Sequence, residues 1–202
     1  MARGDNVHLA ATAWHEAGHA LAAMREGRSV ILAEISRSAP GAGRTIHFPF
    51  ASKNRFNPVL GPGNAKASWQ DTLDRRLANV RILLAGPLAE AKAMNQPLRA
   101  IGADSDLAQC RQIAISLGRL HEFIDLEARI GYVSPDGLLN DQRLRVRRWL
   151  GRPETWRSVG KIADALITNG SVGSAEIIRA YLDARSEIQR PLDLDWKLVP
   201  GR

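Results

Sequence analysis

The sequence predicts a mainly α-helical domain with a small β-hairpin or sheet. Three observations lead there. Apolar residues recur at helical spacing through much of the chain, as in Leu73, Leu77, Val80, Leu83, Leu84, Leu88 and Ala91, and again in Leu107, Cys110, Ile113, Ala114 and Leu117. Residues 29–50 instead carry two short segments with strand patterning. The chain has 202 residues, no internal repeat and no low-complexity tract, which suits one hydrophobic core. We therefore expect one domain over 1–190 and a C-terminal tail over 191–202.

The first helix is expected over residues 6–26, rich in Ala, Leu and Met, with Gly27 as its stop. It contains Trp14-His15-Glu16-Ala17-Gly18-His19, a His-Glu-x-x-His pattern. Residues four apart share a helix face, so His15 and His19 aim their imidazoles at one spot. Neutral imidazole is a good zinc ligand, and Glu16 can reach a water on the same metal. Gly18 lowers helix propensity, so a neighbouring strand or the metal site must approach its backbone closely.

Ser29 to Ile35 is β-branched and apolar and reads as a strand. Ser38 to Gly43 is turn chemistry. From Arg44 to Phe50, Thr45, His47 and Pro49 alternate with Ile46, Phe48 and Phe50, a second strand that Pro49 assigns to an edge or an end. An edge strand beside a metal cleft can bind an extended peptide by strand addition, which makes Arg44, Thr45, Ile46, His47 and Phe48 the candidate substrate strand.

Residues 51–68 read as loop. Ser68-x-x-Asp71 resembles a capping box for a helix starting at Trp69, kinked at Gly86-Pro87. Glu90 follows the kink inside an apolar stretch, either paired with the zinc-site neighbourhood or simply a surface carboxylate. Asp104, Ser105 and Asp106 open the next helix. A carboxylate is stabilised at a helix N-terminus whether or not it binds metal, so spacing alone does not choose among them. His121-Glu122 has no second histidine at ligand spacing. Tyr132 to Gly137 reads as a turn, with Asn140 or Asp141 capping a helix past Trp149. Gly151 and Pro153 interrupt that helix, Asn169-Gly170 end its continuation, and Ser174 caps a short final helix.

Composition narrows the classes. No apolar run approaches the roughly 20 residues of a membrane-spanning helix. Met1 to Asn6 shows no signal-peptide pattern, and the lone Cys110 has no partner for an internal disulfide, so we expect a cytoplasmic protein with Cys110 in the core. The net charge is +7 and the pI about 10.3. Apart from Arg143, Arg145, Arg147 and Arg148 the basic residues are scattered, and aromatics are not interleaved with them, which argues against nucleic-acid binding as the main function.

Thr12-Ala-Trp-His-Glu-Ala-Gly-His-Ala-Leu21 resembles the peptidase domain of FtsH-type ATP-dependent zinc metalloproteases. The turn Pro40-Gly-Ala-Gly43, the stretch Leu84-Ala-Gly-Pro-Leu-Ala-Glu90 and Gly102-Ala-Asp-Ser-Asp-Leu107 are similar to further family segments in the same order, over roughly residues 5–185. The resemblance implies an FtsH-peptidase-like helical fold and a zinc metalloendopeptidase. It implies Asp106, rather than Asp104, as third zinc ligand beside His15 and His19, and Glu16 as general base. It implies peptide or unfolded-protein substrates and the family's ring of copies as the candidate homo-oligomer; with no ATPase domain in this chain, unfolding of substrates would call for a separate ATPase partner. The departures are specific. The chain has no Gly-x-x-x-x-Gly-Lys-Ser/Thr phosphate loop, so ATP-driven processive proteolysis is not expected of it alone. Pro87 stands where the family has a basic residue, which bears on Glu90, and residues 118–140 follow the family poorly. The rival expectation is a non-catalytic module that binds a partner protein through its groove or edge strand.

Overall fold

The computed structural model describes residues 3–39, 41–49, 62–98, 103–123 and 134–189, with only the backbone of 3–5, 62–69, 119–123 and 188–189. Within them lie helices α1 (Arg3–Arg25), α2 (Pro62–Ala93), α3 (Asp104–Phe123), α4 (Pro135–Leu150), α5 (Pro153–Asn169) and α6 (Ser174–Gln189). Strands β1 (Val30–Ile35), β2 (Gly43–His47) and β3 (Ser171–Gly173) complete the fold. The predicted mainly α class with a small sheet is what the chain adopts.

The α1 helix is central because it is apolar around much of its circumference. Leu9, Ala13, Ala17, Ala20, Leu21, Ala22 and Ala23 are all buried. The helix packs on α2, α5 and both strands of the hairpin. Gly18 lies where α1 and α2 cross. A Cβ added there would stand 2.5 Å from the Ala85 carbonyl oxygen and 2.9 Å from the Ala89 Cβ. The close neighbour is therefore a helix, neither a strand nor the metal site as expected.

The sheet is antiparallel in the order β2-β1-β3. β1 and β2 form the predicted hairpin, with Ala33 opposite Thr45 and Glu34 opposite Arg44. The register shifts between Val30 and Leu32, so Ile31 is an extra residue that bends the strand. β3 is an addition to the expected pair. Only three residues long, it sets buried Val172 opposite Ala33.

Several expected boundaries move. α2 starts at Pro62, so residues 62–68 are helical rather than loop and Ser68 lies inside the helix rather than at its cap. Proline fits the first helical position, where its missing N–H costs nothing. The helix then runs on through Gly86-Pro87, with the Pro87 ring buried. α4 starts at Pro135, earlier than Asn140 or Asp141. Ser134 is its cap, and its hydroxyl accepts from the Gly137 N–H at 3.1 Å. The last helix has 16 residues. Its start is capped at Gly173, whose N–H donates to Glu176 at 2.8 Å, so Ser174 is already helical. Gly170, left-handed at φ 82°, closes α5 as predicted. The expected loop over 51–61, His121-Glu122, much of the 118–140 stretch and the tail lie outside the described residues or side chains. Among the described residues, no helix is long and apolar enough to cross a membrane.

Two side-chain ties, one of ionic and polar groups and one aromatic, hold the helices around α1. Arg81 on α2 donates to both carboxylate oxygens of Glu26, just past α1, and to Gln142 on α4. Trp14 stacks on Trp156 of α5 with ring centroids 4.7 Å apart, and Lys92 of α2 covers the Trp156 ring.

Candidate metal centre

One turn of α1 separates His15 from His19, and their rings meet edge to face with centroids 4.7 Å apart. The first turn of α3 brings Asp106 to both. Its Oδ2 lies 2.9 Å from His15 Nε2 and 3.3 Å from His19 Nε2. One ligand atom from each of the three residues falls within 4.8 Å of the others, which makes the group a candidate metal site. Asp104 is exposed and is not in this group.

The α2 helix orients both imidazoles from behind. His15 Nδ1–H donates to Glu90 Oε2 at 2.8 Å, and His19 Nδ1–H donates to the Ile82 carbonyl at 2.8 Å. Glu90 is thus paired with His15, the first of the two alternatives its sequence position left open. Gly86 makes room for the second ring, since a Cβ there would overlap the His19 imidazole. A glycine before proline within a helical pattern was the available signal that something approaches this backbone.

This bonding tests whether the site suits a cation. With each Nδ1–H committed to an acceptor, the Nε2 atoms of neutral rings offer only lone pairs, and both face a carboxylate oxygen. The cluster therefore favours positive charge at its centre, which a proton or a metal ion can supply. Burial of His15 opposes protonation, but the hydrogen bonds to Asp106 and Glu90, with nearby negative charge, raise its pKa to about 9. Burial would raise the Asp106 carboxyl, yet the two histidines hold it well below the usual carboxylate range.

Glu16 is 6% exposed and its carboxylate accepts a 2.7 Å hydrogen bond from Thr45 Oγ1. Both residues border a cleft of about 570 Å³ that also meets His8, His15, His19, His47, Arg44, Glu90 and Asp106. Among the described residues β2 is an edge of the sheet, and it runs along this cleft. Its cleft-side residues include Thr45 and His47, with Arg44 at the rim pairing Glu34 at 2.5 Å. Ile46 sits opposite Leu32 and does not line the cleft, and Phe48 falls just past the strand, well exposed. Burial and the Arg28 guanidinium, whose Nη1 lies 3.1 Å from Nδ1, push the His47 pKa below its ordinary value. Cys110, one helical turn after Asp106 on α3, is buried. Burial, reinforced by Asp106, pushes its thiol up to about 12, which suits a core residue and not a nucleophile.

The Thr45 hydroxyl, the Ile82 carbonyl and the clearance at Gly43 and Gly86 were not foreseen from the sequence, because each depends on a neighbour distant in the chain. No family model matches this chain, and no curated protein matches it.

Proposed function

We propose that the chain is a zinc-dependent endopeptidase that works without ATP. The observation that carries this reading is the convergence of His15 Nε2, His19 Nε2 and Asp106 Oδ2, with Glu16 on the same turn of α1. Two imidazoles and one carboxylate suit zinc and leave a coordination position open, as catalytic zinc sites do. The resemblance to FtsH-type peptidase domains supports the same ligand set and base.

His15, His19 and Asp106 would hold the ion, and Glu90 with the Ile82 carbonyl would keep the imidazoles turned towards it. Zinc, when bound, supplies Lewis acidity that polarises a peptide carbonyl and acidifies water. Glu16 takes the proton from the attacking water and returns it to the leaving amine. Among the described residues no strand pairs with the outer edge of β2, so an extended peptide, the form an unfolded protein segment adopts readily, could add there as a further strand. A ring of copies and a separate unfolding ATPase are compatible additions to this reading.

The test pairs metal analysis with hydrolysis of an unfolded protein. The parent should carry about one zinc per chain and cleave, since three protein ligands make one such site. Glu16→Gln should keep the zinc and lose activity by about 10³-fold, within the range for general acid–base catalysis. Asp106→Ala should lose or greatly weaken zinc binding. Equal cleavage by Glu16→Gln and parent would overturn the mechanism. Absence of zinc after reconstitution, with chelator-insensitive binding of a partner protein, would favour the non-catalytic module.

A further inference from the structure

The two oxygens of the Glu16 carboxylate have different surroundings. Thr45 Oγ1 lies 2.7 Å from Oε2 and 3.2 Å from the Glu16 backbone oxygen. A hydroxyl has one proton, and the shorter, charged acceptor takes it. Oε1 has no hydrogen-bond partner among the described residues. It lies under Gly43, where an added Cβ would stand 2.9 Å from Oε1 and 2.8 Å from the Glu16 Cγ. Glutamate ordinarily loses considerable rotamer freedom when fixed. Here a glycine leaves the slot for the side chain, and a hydroxyl on the same strand ties down one oxygen.

We propose that Thr45 is the positioning residue for Glu16. Its hydroxyl fixes Oε2 and so leaves Oε1 as the oxygen that receives the proton. Thr45 does not itself touch substrate in this role. The catalytic meaning of the assignment rests on the peptidase reading, whereas the positioning itself does not.

The placement has a second consequence. Thr45 is central in β2, opposite Ala33 of β1. Its side chain turns inward to the base, and among the described residues no strand pairs with the other edge of β2. The base is therefore referenced to the same strand that would align the scissile bond. A peptide paired with β2 meets Oε1 at a position set by that strand, which is the positional accuracy proton transfer needs.

The experiment compares parent, Thr45→Val, Thr45→Ser and Glu16→Gln as full-length, zinc-reconstituted chains. Valine keeps the β-branched shape and removes the hydroxyl; serine keeps the hydroxyl. Glu16 rotamer averaging is read from side-chain carbon–carbon and carbon–proton couplings by NMR, and zinc content and hydrolysis of an unfolded protein are measured in parallel. Glu16 should occupy one rotamer in parent and Thr45→Ser and average over several in Thr45→Val, with zinc content equal in all three. Thr45→Val should lower kcat by up to about 10²-fold, the scale of a small misplacement of a reacting group, with KM little changed. A single fixed Glu16 rotamer in Thr45→Val would overturn the proposal. So would averaging in Thr45→Ser as great as in Thr45→Val. If Glu16→Gln cleaves as well as the parent, the peptidase reading fails, and the coupling data still decide whether Thr45 holds Glu16.

Discussion

His15 carries the clearest electrostatic consequence at the scale of one residue. Its folded pKa of about 9 exceeds the ordinary 6.5. A raised pKa means the folded metal-free state binds the proton more tightly than the unfolded chain does. The resulting stability is fully present below about pH 6.5 and is lost as pH rises through about 9. A metal ion bound through His15, such as the proposed zinc, would compete with that proton, so its affinity should rise across the same interval. Thermal melts with chelator should therefore fall in midpoint from pH 6.5 to 9, while melts with zinc hold steady or rise. Parallel pH profiles with and without zinc would contradict the assignment. Much of this site was legible in the sequence. The pair His15 and His19 needs only one helical turn to converge, so a local pattern suffices. Asp106 was different, because a carboxylate in a helix's first turn is favoured for capping reasons alone. Only the family resemblance separated it from Asp104 beforehand; the 2.9 and 3.3 Å approaches to the imidazoles then put Asp106 in the cluster. Glu90 was ambiguous for a related reason, since its partner lies 75 residues away.

Among the elements, the crossing of α1 and α2 sets the distance from which Glu90, Ile82 and Gly86 act on the histidines. Small residues make that crossing close: Gly18 on one helix, Ala85 and Ala89 on the other. Gly18→Ala should gain about 1 kcal/mol in intrinsic helix propensity. It should lose more by overpacking, typically about 1–3 kcal/mol, because the obstructing atom is a backbone carbonyl 2.5 Å away. We expect net destabilisation in urea unfolding together with weaker zinc binding, since separating the helices withdraws the groups behind both rings. Unchanged zinc affinity would show that the crossing does not position the site. Element type was legible wherever a periodic pattern was long. It failed where composition and position conflict. Pro62-Gly63-Asn64 reads as loop, yet proline suits a helix's first turn and Ala65, Lys66 and Ala67 propagate it. Ser134-Pro135-Asp136-Gly137 reads as a turn, yet the same serine and proline are good helix-starting residues. The three residues of β3 are too few to show alternation, and their pairing with β1 spans more than a hundred residues.

For the whole molecule, the distance along the chain between the ligands matters as much as their distance in space. His19 and Asp106 are 87 residues apart. One ion gripping both would close a loop containing the β1–β2 hairpin and all of α2. Closing such a loop restricts the unfolded chain, as a disulfide does, and the gain grows only slowly with loop length. This chain has a single cysteine and no disulfide of its own to do so. The ion would then serve as a removable crosslink, and its removal should be read in chain integrity as well as in chemistry. Limited proteolysis by an added serine protease should run faster after chelation and slow again with zinc, by the mass-action gain that any ligand of the folded state confers. Asp106→Ala should be cut at one rate in either condition; protection of that variant by zinc would place the crosslink elsewhere. If the site holds a metal ion, metal supply would set how long each copy of the chain survives among proteases, whatever chemistry the site performs.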